Sequence, residues 1–154
     1  MRLMIAGIIL SLGLSALPVQ AQITDAKVGA LVEALRQAAP KTGTENDGLY
    51  SEWQIKPDNI KRWSRLCTGK ELTPVQFERS PQTARGILVC VMRDILKDEY
   101  KAGGNNEDMA VRRAAAWWMT GDPTQYGREN IAGYTQQVLK IYQQQRSTGS
   151  GSSK

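Results

Sequence analysis

This chain of 154 residues contains no histidine. That removes the side chain which most often moves protons near neutral pH and leaves acid–base work to carboxylates. Four of these lie close together in sequence: Glu33, Glu45, Asp47 and Glu52. Glu45 and Asp47 fall in a polar, glycine-containing stretch where carboxylates ordinarily form turns. Glu52 stands between Tyr50 and Trp53, where partial desolvation is plausible; if the chain is extended there, it shares a face with Tyr50 and Gln54 while Trp53 points away. Glu33 falls on the side of a helix opposite its apolar stripe, ordinarily a solvated position. All but Glu33 lie in or beside the run Gly48–Trp63, GLYSEWQIKPDNIKRW, which concentrates aromatics, a glutamine and an X-Pro-Asp turn and reads as the wall of a cleft. There is no phosphate-cradling glycine loop and no metal-ligand cluster, so neither a cofactor nor a metal is expected.

The elements that must hold these residues are helical. Thr24-Asp25 caps a first helix whose buried face is Val28, Leu31, Val32 and Leu35, ending before Pro40. Asp58 or Asn59 starts a short helix carrying Ile60, Trp63 and Leu66. Thr73-Pro74 and Ser80-Pro81 each pair a cap with proline at the first helical position. The helix after Ser80 carries Ala84, Ile87, Leu88, Val91 and Ile95 at helical spacing, and Gly103-Gly104 stops it. Asn106 caps a helix through Trp118, Gly121-Asp122-Pro123 turns the chain, and a last helix presents Ile131, Tyr134, Val138 and Ile141. The fold class is mainly α, with room for one short β-hairpin around residues 41–56. The expected organisation is a signal peptide at 1–21, one helical domain at 22–145 and a disordered Ser/Gly tail at 146–154.

Arg2, the apolar stretch Leu3–Leu17 and the small-residue pattern ending at Ala21 read as a secretory leader cleaved after Ala21. That implies a periplasmic or extracellular protein with no stable membrane insertion after cleavage. The net charge is +5, or +4 once Arg2 leaves with the leader; that favours an anionic partner and is too mild and too dispersed to argue for nucleic acid. In an oxidising compartment Cys67 and Cys90, the only cysteines, read as one disulfide; two buried thiols are the alternative, and a structural zinc site has too few ligands.

The order of these pieces resembles a known family. Gly48-Leu49-Tyr50 followed by Gln54-Ile55-Lys56-Pro57 is similar to the "G-L-x-Q-I-x-P" signature of lysozyme-like domains and lytic transglycosylases. The similarity continues through Asn59-Ile60, Trp63, Gly69, Leu72-Thr73-Pro74 and Phe77. Ala114-Ala115-Ala116-Trp117-Trp118 with Gly121 resembles the family's "A-A-x-W-x-x-G" segment, and Tyr134 to Tyr142 its closing helix. In all, the resemblance covers roughly residues 25 to 142.

The resemblance implies a single lysozyme-like helical domain with a cleft for peptidoglycan or another anionic glycan. It also implies cleavage between N-acetylmuramic acid and N-acetylglucosamine, with one glutamate as acid and then base; a hydrolase normally adds a second carboxylate. Glu33 stands at the matching distance before Gln54 and is the implied acid, although Ala34 follows it without the family's "E-S-G" continuation. Glu52 is the second candidate. Tyr50, Trp53, Gln54, Trp117, Trp118 and Tyr126 are the implied substrate-binding residues. The alternative for the aromatics is core packing, with Trp63 and one of the adjacent Trp117/Trp118 pair turned inward. Gln54 can equally fix its own loop. Three functions remain open at this point: a peptidoglycan-cleaving enzyme, a non-catalytic glycan-binding module, and a secreted helical interaction protein.

Overall fold

A computed structural model describes residues 22–41 and 47–150. The expected leader, Glu45 and the last four residues lie outside the described residues. Six α-helices and one 3-10 turn make up the described chain: α1 (Asp25–Gln37), α2 (Pro57–Thr68), α3 (Pro74–Arg79), α4 (Pro81–Ala102), α5 (Glu107–Thr120), the 3-10 turn (Pro123–Gly127) and α6 (Glu129–Ser150). None of these helices is long and apolar enough to cross a membrane.

Helix α1 begins where Thr24 Oγ1 accepts the Lys27 N–H at 3.2 Å. Its stripe of Val28, Leu31, Val32 and Leu35 is fully buried, and Ala30 and Ala34 bury the flanks. The helix packs on both α4 and α6 and so forms the centre of the fold. The small residues beside the stripe let neighbouring helices approach closely, while each fully buried large apolar side chain contributes about 1.5–3 kcal/mol. Helix α4 turns Ala84, Ile87, Leu88, Val91, Met92 and Leu96 into the same core. Helices α2 and α3 close one side of it through Ile60, Trp63 and Phe77. Thr73 and Gln76 cap each other's backbone at the start of α3.

Cys67 and Cys90 form a disulfide that ties the last turn of α2 to the middle of α4, with Cα atoms 6.1 Å apart. Closing a loop with 23 residues of separation contributes about 3 kcal/mol in the chain-entropy model. The hairpin expected around 41–56 reduces, among the described residues, to one bridge between Tyr50 and Ile55, with N–H to O distances of 3.0 and 2.9 Å. The C-terminal boundary also differs from expectation. Helix α6 continues through Ser150 rather than ending near residue 145. Ser147 Oγ and Thr148 Oγ1 donate back to the carbonyls of Gln144 and Gln145 at 2.8 to 3.2 Å, so the hydroxyls of this polar segment bond to the helix itself.

Four helices meet at Glu107, on the first turn of α5. Its Oε2 lies 2.8 Å from Lys27 Nζ of α1, and Tyr142 Oη of α6 donates to its Oε1 at 2.5 Å. Lys27 Nζ also donates to Tyr100 Oη of α4 at 3.3 Å. Burial opposes the charged form of Glu107, but hydrogen bonds from Lys27, Tyr142 and Tyr100 outweigh it and hold the carboxyl below its usual range. A carboxyl depressed in the folded state binds protons more weakly there than in the unfolded chain. The stability it contributes is therefore complete above the ordinary carboxylate pKa of about 4.3 and is lost as pH falls through the folded value. Urea melts between pH 7 and pH 3 should show that acid loss in the wild type and a shallower loss in Glu107→Gln. Parallel losses in the two proteins would remove Glu107 as a main source of acid sensitivity.

Candidate functional site

Residues 50–55 form a tight turn that links α1 to α2 and decides which side chains reach the surface. Ser51 and Gln54 both have left-handed backbone, with φ of 63° and 55°, a conformation that costs a non-glycine residue about 1–2 kcal/mol. Gln54 N–H and its side-chain Nε2 both donate to the Ser51 carbonyl, at 3.1 and 3.0 Å. Gln54 thus fixes its own loop. The turn drives Trp53 inward rather than outward. It is 5% exposed, and its indole N–H donates to the Val32 carbonyl of α1 at 2.8 Å. Trp53 borders both the groove and the small cleft described below, although little of its ring is exposed and its one polar group is already engaged. Tyr50, half-buried, packs against the core beside it.

On α1, Glu33 faces this turn across Arg36. The guanidinium grips both Glu33 oxygens, at 2.9 and 2.6 Å, and reaches Glu52 Oε1 at 3.0 Å. Gln37 adds a third bond to Glu33 at 2.8 Å. The structure therefore brings the two candidate acids together around one cation. The hydrogen bonds and charge of Arg36 hold the Glu33 carboxyl below its usual range, although partial burial pulls the other way. A general acid needs the reverse, a carboxyl kept protonated by apolar surroundings. Glu52 remains mostly exposed beside a small cleft of about 360 Å³, together with Glu78, whose Oε1 accepts the Ser51 N–H at 3.2 Å.

On the other side of the turn runs a larger groove of about 890 Å³, within the range of small-ligand sites. Helix α2 gives one wall through Asn59, Arg62, Trp63 and Leu66; α4 gives Val91, Asp94 and Ile95; the end of α5 gives Trp117, Trp118 and Met119. Gln54, Ile55 and Lys56 close one end. Gly121 ends α5 in left-handed backbone, φ 80°, which lets the chain leave the helix at the groove edge. Three indoles cluster here, with Trp63 backing Trp117 and Trp118. Trp63 lies 5.5 Å from Trp118 in a stacked arrangement and 6.2 Å from Trp117 in a tilted one. Trp63 is the buried member, as expected. Trp117 and Trp118 are both partly buried, so the adjacent pair does not divide into one core and one surface ring.

Tyr126 sits elsewhere, on the 3-10 turn. The Arg112 and Arg113 guanidinium carbons lie 5.2 and 6.0 Å from its ring centroid, and its carbonyl accepts from Arg112 and Thr135. It fastens the turn to α5 and α6 and does not line the groove. Leu66 and Met119 are groove residues that sequence reasoning did not assign, and they are 71% and 38% exposed. Asn59, Arg62, Trp63 and Leu66 follow the helical spacing i, i+3, i+4, i+7, a signal that could have identified this face. Among the described residues no group of acidic residues and cysteines is placed to hold a metal ion. Comparison with protein-family models, curated proteins and solved structures finds no match for this chain.

Proposed function

We propose that this protein is a glycan-binding module directed at peptidoglycan or another anionic glycan, built on a lysozyme-like domain, and that it binds its polymer without cleaving it. The observation that carries this reading is the pair of partly exposed indoles, Trp117 and Trp118, backed by the buried Trp63, in an open groove. Sugar rings offer apolar C–H faces to such plates and hydroxyls to the polar groups beside them, here Gln54, Asn59 and Asp94. The "G-L-x-Q-I-x-P" and "A-A-x-W-x-x-G" resemblances support the choice of glycan, since both segments contribute to the groove.

Binding is favoured over catalysis by the state of the carboxylates. Glu33 and Glu52 share Arg36 as ion-pair partner, and neither lines the groove. The Cys67–Cys90 disulfide is compatible with an oxidising compartment outside the cytoplasm, where such polymers lie. The test combines sedimentation with insoluble peptidoglycan and a murein zymogram. The wild type is expected to co-sediment and to leave the zymogram uncleared, and Trp118→Ala is expected to lose most of the binding. Clearing that disappears in Glu33→Gln would overturn the non-catalytic reading, and failure to co-sediment would overturn the glycan reading.

A further inference from the structure

Helix α2 is held unevenly along its length. Its middle turns bury Ile60, Trp63 and Ser64, whereas in its last turn Arg65, Leu66 and Thr68 are exposed and Cys67 is partly buried. The bonds that shape segment 64–72 stay within it. Ser64 Oγ accepts the Leu72 N–H at 2.9 Å, Thr68 Oγ1 donates to the Ser64 carbonyl at 2.7 Å, and Arg65 pairs with Glu71. Packing pins the segment at Ser64 and Leu72, and between these points the Cys67–Cys90 bridge fastens it to α4. A stretch with so few buried side chains belongs to the part of a fold that opens most easily.

The bridge also lies at the groove. Cys67 is four residues after Trp63 and so one turn along the same side of α2, and its neighbour Leu66 lines the groove. Cys90 precedes Val91 and stands one turn before Asp94, both on the α4 wall. The disulfide therefore joins the two walls beside Leu66 and Val91. Helices α1, α4, α5 and α6 pack on one another without help from α2, so the end of α2 can loosen while that core stays closed.

We infer that the Cys67–Cys90 bridge is a redox-sensitive clamp: its reduction by an external dithiol loosens the last turn of α2, and with it one wall of the groove, while the core of α1, α4, α5 and α6 stays folded. Both cysteines are partly exposed, which gives a thiolate access to the bridge. A thiolate of the dithiol attacks one sulfur, the S–S bond breaks, and the other cysteine leaves as a thiolate and takes up a proton. The second thiol of the dithiol then displaces the first cysteine. Two electrons and two protons pass to Cys67 and Cys90, and the dithiol becomes a disulfide. The released Cys67 thiol has the Ile87 carbonyl as an acceptor, with Sγ 3.7 Å from it, but so weak a donor does not replace a covalent tie. The clamp concerns the wall of the groove and does not depend on which ligand the groove takes.

The test treats the full chain with a small dithiol in the absence of denaturant, then reoxidises it, and compares Cys67→Ala/Cys90→Ala, which lacks the bridge throughout. Hydrogen exchange read by mass spectrometry follows each segment, and co-sedimentation with insoluble peptidoglycan follows the groove. In the reduced protein and in the variant, amides of residues 65–72 are expected to exchange about tenfold faster or more, with those of α1, α5 and α6 little changed. Binding should weaken severalfold, and reoxidation should restore both readings in the wild type. A bridge that resists the dithiol until the whole protein unfolds would overturn the clamp, as would equal acceleration in every helix or local loosening with undiminished binding. If the oxidised protein does not bind peptidoglycan, the glycan reading falls, and exchange at residues 65–72 still decides the clamp: selective acceleration supports it and unchanged exchange overturns it.

Discussion

Replacing Glu99 with alanine is expected to destabilise the protein by about 3–5 kcal/mol, the typical cost of breaking a buried ion pair from one side. Glu99, on α4, is 8% exposed, and its Oε2 accepts from Arg113 Nε of α5 at 2.6 Å. The Arg113 side chain is nearly as buried, so removing its partner strands a guanidinium between two helices. The same guanidinium also lies by the Tyr126 ring, so the damage should reach the 3-10 turn. A domain with a total stability of about 5–15 kcal/mol would be brought close to unfolding. The double variant Glu99→Leu/Arg113→Met should recover much of the loss, because two apolar side chains need no desolvation offset. Urea unfolding of the three proteins measures this. A single-variant cost below about 1 kcal/mol would show that water reaches the pair freely.

Much of this architecture is legible in the residues. The α1 stripe, the α4 stripe and the caps at Thr24, Thr73, Asn106 and Gly103 use short-range signals, and those elements form close to where the spacing places them. The disulfide is legible for a simpler reason, since two cysteines have one possible pairing. What sequence periodicity does not reveal is the direction of side chains in the turn at 50–55. An extended segment would have put Trp53 on the face opposite Glu52. The left-handed Ser51 and Gln54 break that alternation, and the Val32 carbonyl, distant in sequence, accepts the indole N–H. Leu66 is hidden by a related effect. It shares a helix with Ile60 and Trp63, yet lies at the groove rather than in the core, because six residues of helix rotate it about 120° away from Ile60. Likewise, helical spacing alone does not say that Arg36 sits between Glu33 and Glu52, since Glu52 arrives from beyond the loop. That contact decides the chemistry of both carboxylates.

Trp63→Ala should be the most damaging change in the groove, for stability and binding together. The indole is 7% exposed, forms part of the continuous core with Ile60 and Phe77, and supports both partly buried tryptophans from beneath. Truncation of a buried aromatic costs about 3–5 kcal/mol, combining lost transfer energy with the cavity left behind. Here the cavity opens beneath Trp117 and Trp118, which would tilt into it, so the apolar surface itself should be lost. Trp118→Ala provides the comparison. Its ring is only partly buried, so its loss should cost less stability than that of Trp63 while still removing a plate from the ligand site. The two variants thus separate support from contact: Trp63→Ala should lower Tm strongly and abolish glycan binding, whereas Trp118→Ala should weaken binding with a smaller loss of Tm. Trp63→Phe should fall between wild type and Trp63→Ala in Tm, since a smaller ring still fills part of the site. Equal Tm values for the two alanine variants would mean that Trp63 is no more a foundation of the groove than its partly buried neighbour.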